Sequence, residues 1–279
     1  SEATTDNVVF FGAASATVVI ATTVLLTVTV PSGATYSQIT VITNGLLTQS
    51  SQYFSISNVA NTNISASRFS SGVDTDMGDE PWDLALGDFD GDGKPDVVTA
   101  NYDGTISVFL NSSTTGNVSY APPLEILSSG VVSPAVTVGD INGDGKLDIV
   151  ASRHGNAGTA GNSVAVFINT STVGSLSFDT GVSYSTDNYP TDVEIADIDG
   201  DGKLDIITSN DNNGSSPYKA VSVLLNTSSG NSLSFADKVS IEVQDPGESL
   251  AVGDVDGDGK YDVIVTGEKP FGTEWVSIL

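Results

Sequence analysis

Four nine-residue segments carry most of the residues whose types and spacing could do chemistry: DFDGDGKPD at 88–96, DINGDGKLD at 140–148, DIDGDGKLD at 197–205 and DVDGDGKYD at 254–262. Each sets carboxyl or amide oxygens at positions 1, 3, 5 and 9, glycine at 4 and 6, and lysine at 7. Carboxylates about 4 Å apart repel by roughly 4 kcal/mol at an effective dielectric of 20, so a loop of this composition calls for a cation among its side chains. Oxygens at this spacing, a backbone carbonyl at the lysine and a sharp turn at the second glycine reproduce the opening of an EF-hand-like calcium loop.

The candidate ligands are Asp88, Asp90, Asp92, the Lys94 carbonyl and Asp96 in the first loop, and Asp140, Asn142, Asp144, the Lys146 carbonyl and Asp148 in the second. The third offers Asp197, Asp199, Asp201, Lys203 and Asp205; the fourth offers Asp254, Asp256, Asp258, Lys260 and Asp262. Asn142 leaves the second loop one charge poorer. Flexible all-oxygen loops suit calcium, with its larger and less regular coordination shell, better than magnesium, and transition metals would call for His or Cys. Four Ca²⁺ sites are expected.

Other chemistry is sparse. The single histidine, His154, stands in SRHGNAG and is expected in a surface turn after a strand. There is no G-x-S-x-G, no H-E-x-x-H and no glycine-rich phosphate loop, and the paired carboxylates are accounted for as metal ligands. The chain is expected not to be an enzyme.

Nine basic residues against 35 acidic ones give a net charge of −26, which disfavours nucleic acid and anionic membrane surfaces and favours cations. With no cysteine, disulfides and thiolate chemistry are excluded. Asn-x-Ser/Thr sequons occur at Asn63, Asn111, Asn117, Asn169, Asn213 and Asn226, as a Ser/Thr-rich chain produces by chance. No charged residue falls between Asp6 and Arg68, yet the apolar run at 8–30 is read as strands and not as a membrane helix. Threonine and β-branched residues recur through it, VPSG closes it with turn chemistry, and no Lys or Arg flanks it.

The elements that must position the acidic loops repeat with them. First aspartates are 52, 57 and 57 residues apart, the period range of propeller blades. In the first unit WDLALGDF, DVVTAN, TISVFLN and SYAPPLEIL read as four strands, with the acidic loop between the first two and YDG between the second and third. The other units align, the last stopping after EWVSIL. Helix signals are almost absent, so the chain is read as all-β, with blades of four antiparallel strands.

The GDxDGDGKxD loop, the following DIV and the later VSVLLN resemble FG-GAP/VCBS repeats, which occur in integrin α-subunit propellers, fungal lectins and many secreted bacterial proteins. That resemblance spans about residues 73–279 and implies a β-propeller with calcium in the blade loops. Such propellers usually carry more blades than the four acidic loops visible here. NISASRFSSGV at 63–73 matches the outer-strand position and could close the last blade as a clasp. Residues 8–57, through LTVTVPSG and ITV, are similar to the later part of an IPT/TIG immunoglobulin-like domain, which implies an N-terminal partial β-sandwich. The expected division is 1–58 for that domain and 59–279 for the blades.

Strand parity places the acidic loops and the three-to-four loops on one face, with the two-to-three and four-to-one loops opposite. Those opposite loops vary most and carry Trp82, Arg153, His154, Tyr189, Tyr218 and Phe271, so they are the expected recognition surface. The reading is a secreted, calcium-stabilised adhesion or recognition module for an extracellular glycan or protein, without membrane insertion of this segment. Two rivals stand beside it: a subunit of an extracellular filament or surface layer in which copies complete each other, and an accessory part of a polysaccharide-acting enzyme.

Overall fold

A computed structural model describes residues 7–11, 14–22, 25–30, 37–43, 46–54, 80–127, 132–156, 159–211, 218–229, 232–243, 247–267 and 275–279. The described residues hold twenty strands and no helix. The chain divides into two compact units: residues 1–76 with 91–95 and 111–119, and residues 77–90, 96–110 and 120–279. The proposed closing segment 63–73 and Phe271 lie outside the described residues.

In the first unit β1 (Asn7–Phe11), β2 (Ala14–Ala21), β3 (Leu26–Thr29), β4 (Ser37–Thr43) and β5 (Leu46–Phe54) form one antiparallel sheet in the order β3-β2-β1-β4-β5. The apolar run at 8–30 is thus three short strands, and no helix of the described residues is long and apolar enough to cross a membrane. Its alternation puts Val9, Phe11 and Ala16 into a core with Val18, Val28, Ile39 and Val41, in the register Val9↔Ala16 and Phe11↔Ile39. Val8 and Val19, on the alternate positions, are exposed. Among the described residues this is a single sheet.

The second unit is built from four antiparallel meanders. The first is β6 (Pro81–Gly87), β7 (Asp96–Asn101), β8 (Thr105–Phe109) and β9 (Leu124–Leu127); the second is β10 (Val136–Gly139), β11 (Asp148–Asn156), β12 (Thr159–Phe167) and β13 (Val182–Ser185). The third is β14 (Pro190–Ala196), β15 (Asp205–Asn210), β16 (Tyr218–Leu224) and β17 (Val239–Val243); the fourth is β18 (Ser249–Gly253), β19 (Asp262–Gly267) and β20 (Trp275–Ile278), three-stranded among the described residues. Each sheet keeps its strands in sequence order, so each is a blade, and the all-β reading with four-stranded blades holds. The outer strands are shorter than the sequence suggests: in SYAPPLEIL the continuous ladder with β8 is confined to Leu124–Leu127, while Ala121 N–H bonds back to Leu110 O ahead of the two prolines.

Blades stack through their first strands. β10 lies against β6 and β7; β14 lies against β10, β11 and β12; β18 lies against β14 and β15. Val136 enters a core with Val98 and Val108 of the preceding blade, Val193 one with Val150, Val164 and Val166, and Leu250 one with Ile207, Val221 and Val223. The middle strands β7 and β15 are buried along their whole length, so the polar residues of DVVTAN and DIITSN are enclosed together with the β-branched ones. Glycine closing the first strand makes room for the next blade: a Cβ on Gly139 would lie 2.4 Å from Ile195 Cδ1, and one on Gly87 would lie 2.6 Å from Leu147 Cδ1.

Candidate metal centre

Each acidic loop joins the first strand of a blade to its buried second strand, and its ninth residue opens that second strand. Glycine at positions 4 and 6 is required by backbone shape, since Gly91 and Gly93 have φ of 78° and 86° and the corresponding glycines of the other loops share that left-handed region. The turn folds the first, third and ninth side chains toward one another.

The structure brings together Asp88, Asp90 and Asp96; Asp197, Asp199 and Asp205; and Asp254, Asp256 and Asp262, with oxygens in each group within 4.8 Å of one another. Position 5 is tied to the backbone of its own loop. The Asp92, Asp144, Asp201 and Asp258 carboxylates each accept a hydrogen bond, 2.9 Å long, from the backbone N–H of the lysine two residues on. The Lys94 and Lys203 ammonium groups lie 2.8 and 2.9 Å from the Asp92 and Asp201 carboxylates, and Lys260 lies 3.9 Å from Asp258. Lys146 instead donates to the Ser171 carbonyl at 2.9 Å. Lys203 holds the Asp201 carboxyl below the usual carboxylate range through that hydrogen bond.

The ninth aspartate is the fixed point of the loop. Asp96, Asp148 and Asp205 are buried. One oxygen accepts from the N–H of residue 2 in the same loop, at 2.9 Å from Phe89, 3.1 Å from Ile141, 2.9 Å from Ile198 and 2.8 Å from Val255. The other oxygen of Asp148 accepts from Asn169 N–H at 2.8 Å, and that of Asp205 from Asn226 N–H at 2.7 Å.

Burial raises these acids. The Asp148 carboxyl is pushed up to about 7, chiefly by burial and further by Asp144 and Asp140, against the hydrogen bonds it accepts. Burial likewise raises Asp140 and Asp205. A buried carboxylate beside other carboxylates is the situation a divalent cation relieves. The third loop adds a sharper observation: Asp197 Oδ1 is buried and has no hydrogen-bond partner, although Asp197 Oδ2 accepts from Gly202 N–H at 2.9 Å. An orphaned acceptor among acids fits a bound cation.

The second loop is more self-contained. Asn142 donates to Asp144 at 3.1 Å and accepts from Asp144 N–H at 2.9 Å, while Asp140 accepts from Asp144 and Gly145 N–H at 2.9 and 2.8 Å. An amide in place of the position-3 carboxylate supplies its own donor, so this loop carries one negative charge fewer for a cation to neutralise.

Two asparagines legible only as sequons prove to be ties between repeats. The Asn169 amide donates to Leu147 O of its own acidic loop and to Phe89 O of the preceding one, both at 2.9 Å. The Asn226 amide repeats this with Leu204 O and Ile141 O, also at 2.9 Å. Both side chains are buried, and Oδ1 of each accepts a backbone N–H two residues on, leaving no amide hydrogen for a glycan. Their recurrence right after VFLN, VFIN and VLLN strands was the available signal.

On the opposite face, Trp82 and Tyr102 rings stand 5.2 Å apart with both residues exposed, and His154 and Tyr189 rings stand 5.3 Å apart. His154 corrects the sequence expectation of a turn. It lies within β11, which extends to Asn156 and pairs with β12 across a bulge between Arg153 and Gly155. Gly161 permits that extension by lying against the Arg153 carbonyl, where any Cβ would clash. The Arg153 guanidinium donates to Ser183 Oγ. Tyr218 opens β16.

A family model described as FG-GAP-like repeat matches residues 88–151 and 156–208, and one described as FG-GAP repeat matches 246–272. The matches cover all four acidic loops. No curated protein matches the chain.

Proposed function

The chain is an FG-GAP repeat protein, and from that premise we propose that it is a secreted recognition module, stiffened by calcium, whose loops opposite the acidic turns bind an extracellular glycan or protein. The observation that carries the calcium reading is the third loop, where Asp197, Asp199 and Asp205 converge around a buried, unpartnered Asp197 oxygen. In that role Asp88, Asp90 and Asp96, with their counterparts in the third and fourth loops, hold the ion. The ion supplies a positive charge that neutralises the cluster and fixes the strand-to-strand turn; its role is structural. Millimolar extracellular calcium suits weak loops of this kind, which supports an outside location.

The recognition reading rests on the exposed Trp82–Tyr102 pair and the His154–Tyr189 pair, which offer flat apolar surfaces beside polar groups on a rigid scaffold. No catalytic role is assigned to any residue.

Calorimetric titration of chelator-treated protein with Ca²⁺, followed by thermal unfolding, tests the calcium reading. A site filled at a hundredfold excess over Kd stabilises by about 2.7 kcal/mol. For a domain of this size that is roughly 5–10 °C in Tm. Tighter uptake is expected in the first, third and fourth loops than in the second, and Asn142→Asp is expected to strengthen the second. Absence of heat and an unchanged Tm would remove the calcium reading. Glycan and protein arrays probed with wild type and Trp82→Ala test recognition, which fails if no ligand depends on that face.

A further inference from the structure

We propose that Asn142 is a self-modifying residue: its side-chain amide closes on the backbone nitrogen of Gly143, ammonia leaves, and water opens the ring to a carboxylate. The chemistry stands apart from the calcium reading, and only its effect on ion uptake rests on that reading.

Of the four acidic loops the second alone carries an amide at position 3, and glycine follows it. A cyclic imide forms when the nitrogen of the next residue reaches the asparagine Cγ, and a side chain on that residue obstructs the approach. Gly143 removes the obstruction: it is exposed, it has φ of 77°, and a Cβ built on it would meet nothing within 4 Å. Asn142 is only half-buried, so water reaches the site. Asn-Gly also occurs at 44–45 and 213–214, outside the described residues.

The loop adds groups placed for acyl transfer. The Asn142 side-chain oxygen accepts from Asp144 N–H at 2.9 Å. Attack at Cγ puts negative charge on that oxygen, and a fixed backbone donor there lowers the barrier as an oxyanion hole does. The attacking nitrogen is engaged too, since Gly143 N–H donates to the Asp140 carboxylate, which draws the hydrogen away from nitrogen. The amide nitrogen that departs donates to Asp144 Oδ2 at 3.1 Å, which fixes the side-chain oxygen toward its donor. Hydrogen bonds that hold the turn together therefore polarise both reacting atoms.

In the first step the bond from Gly143 N to Cγ forms and the bond from Cγ to Nδ2 breaks. The Gly143 nitrogen loses its proton, and the departing nitrogen takes one up and leaves as ammonia. Water then adds at a ring carbonyl. Breaking the new bond to Cγ gives aspartate at 142 with an unaltered backbone, and breaking the other imide bond gives the isoaspartyl form. Aspartate at 142 turns DINGDGKLD into DIDGDGKLD, the sequence of the third loop. Asn169 and Asn226 have no such route: threonine follows each, both are buried, and the amide hydrogens of each are held by two carbonyls.

The full chain, freed of metal with chelator, is held at mildly alkaline pH both folded and in denaturant, and its peptides are mapped by mass spectrometry after a separation that resolves aspartyl from isoaspartyl forms. Conversion at Asn142 is expected in the folded chain at roughly ten times the rate in denaturant, the worth of one hydrogen bond strengthened in the transition state, with Asn169 and Asn226 unchanged while the fold persists. Asn142→Gln, which keeps the amide but needs a larger ring, is expected to stay intact with an unchanged circular dichroism spectrum. Survival of Asn142 in the folded chain while it converts in denaturant would overturn the proposal, because the hydrogen bonds would then be guarding the amide. Equal rates in the two conditions would overturn it as well, because the loop donors would then contribute nothing. The aspartyl form, separated by its added charge and titrated calorimetrically, is expected to take up Ca²⁺ at the second loop as Asn142→Asp does. Conversion without that gain would count against the calcium reading and leave the chemistry standing.

Discussion

Replacing Asn169 by alanine isolates the tie between successive acidic loops. The side chain is 1% exposed, donates two 2.9 Å hydrogen bonds to Phe89 O and Leu147 O, and accepts one of 2.8 Å from Ser171 N–H. Truncation strands two carbonyls and one amide in a site closed to solvent. A buried partner left unsatisfied costs about 1–3 kcal/mol, and imperfect additivity brings three such groups to roughly 3–5 kcal/mol. Asn111 provides the internal reference: it is half-buried and donates to Pro95 O at 2.7 Å within its own repeat, so its truncation is expected to cost about 1–2 kcal/mol. Denaturant unfolding of both variants in saturating calcium reads the difference, with Asn226→Ala expected to resemble Asn169→Ala. Equal losses at positions 111 and 169 would refute the reasoning, because the preceding repeat would then add nothing.

Further outcomes follow from burial and from close packing. In chelator, stability should fall as pH rises from about 4 to about 7: the folded state holds a proton on Asp148, raised to about 7, that the unfolded chain has already lost. Asp140 and Asp205, raised by burial, act in the same direction, while Asp187 and Asp201, lowered by their lysine partners Lys238 and Lys203, give stability that disappears only below the ordinary carboxylate range. Tm measured against pH with and without calcium checks this, and calcium should flatten the slope. Gly139→Ala, whose Cβ would sit 2.4 Å from Ile195 Cδ1, should destabilise the fold by about 1–3 kcal/mol. Gly253→Ala, with open space around it, should stay within about 0.5 kcal/mol of wild type.

The repeat architecture was legible because two periods coincide: strand alternation in WDLALGD or DVEIADI, and recurrence of the acidic turn at blade spacing. The convergence of positions 1, 3 and 9 follows from the glycine-dictated turn, which is why spacing alone pointed to them. At position 5 the charge is met partly by the loop itself, since Asp92 and its counterparts each accept from the amide two residues on. Asn169 and Asn226 were opaque because the contact they make is with residues 80 and 85 positions earlier, across a blade boundary that no local pattern encodes. The extension of β11 through His154 was hidden for a related reason. Glycines at 155 and 161, which read as loop, here allow two backbones to come close enough to keep pairing past a bulge.

The amides of Asn169 and Asn226 each span two consecutive turns, gripping the residue before the anchoring aspartate of one and the second residue of the other. Ordering either turn therefore restricts its neighbour in advance, so that part of the entropy loss at the next position has already been incurred. Under the calcium reading proposed above, ion uptake along such a series is expected to be cooperative, in the manner of a nearest-neighbour chain, which a binding isotherm steeper than that of independent sites would check. The second turn, poorest in charge, lies between two richer ones and would gain most from that coupling.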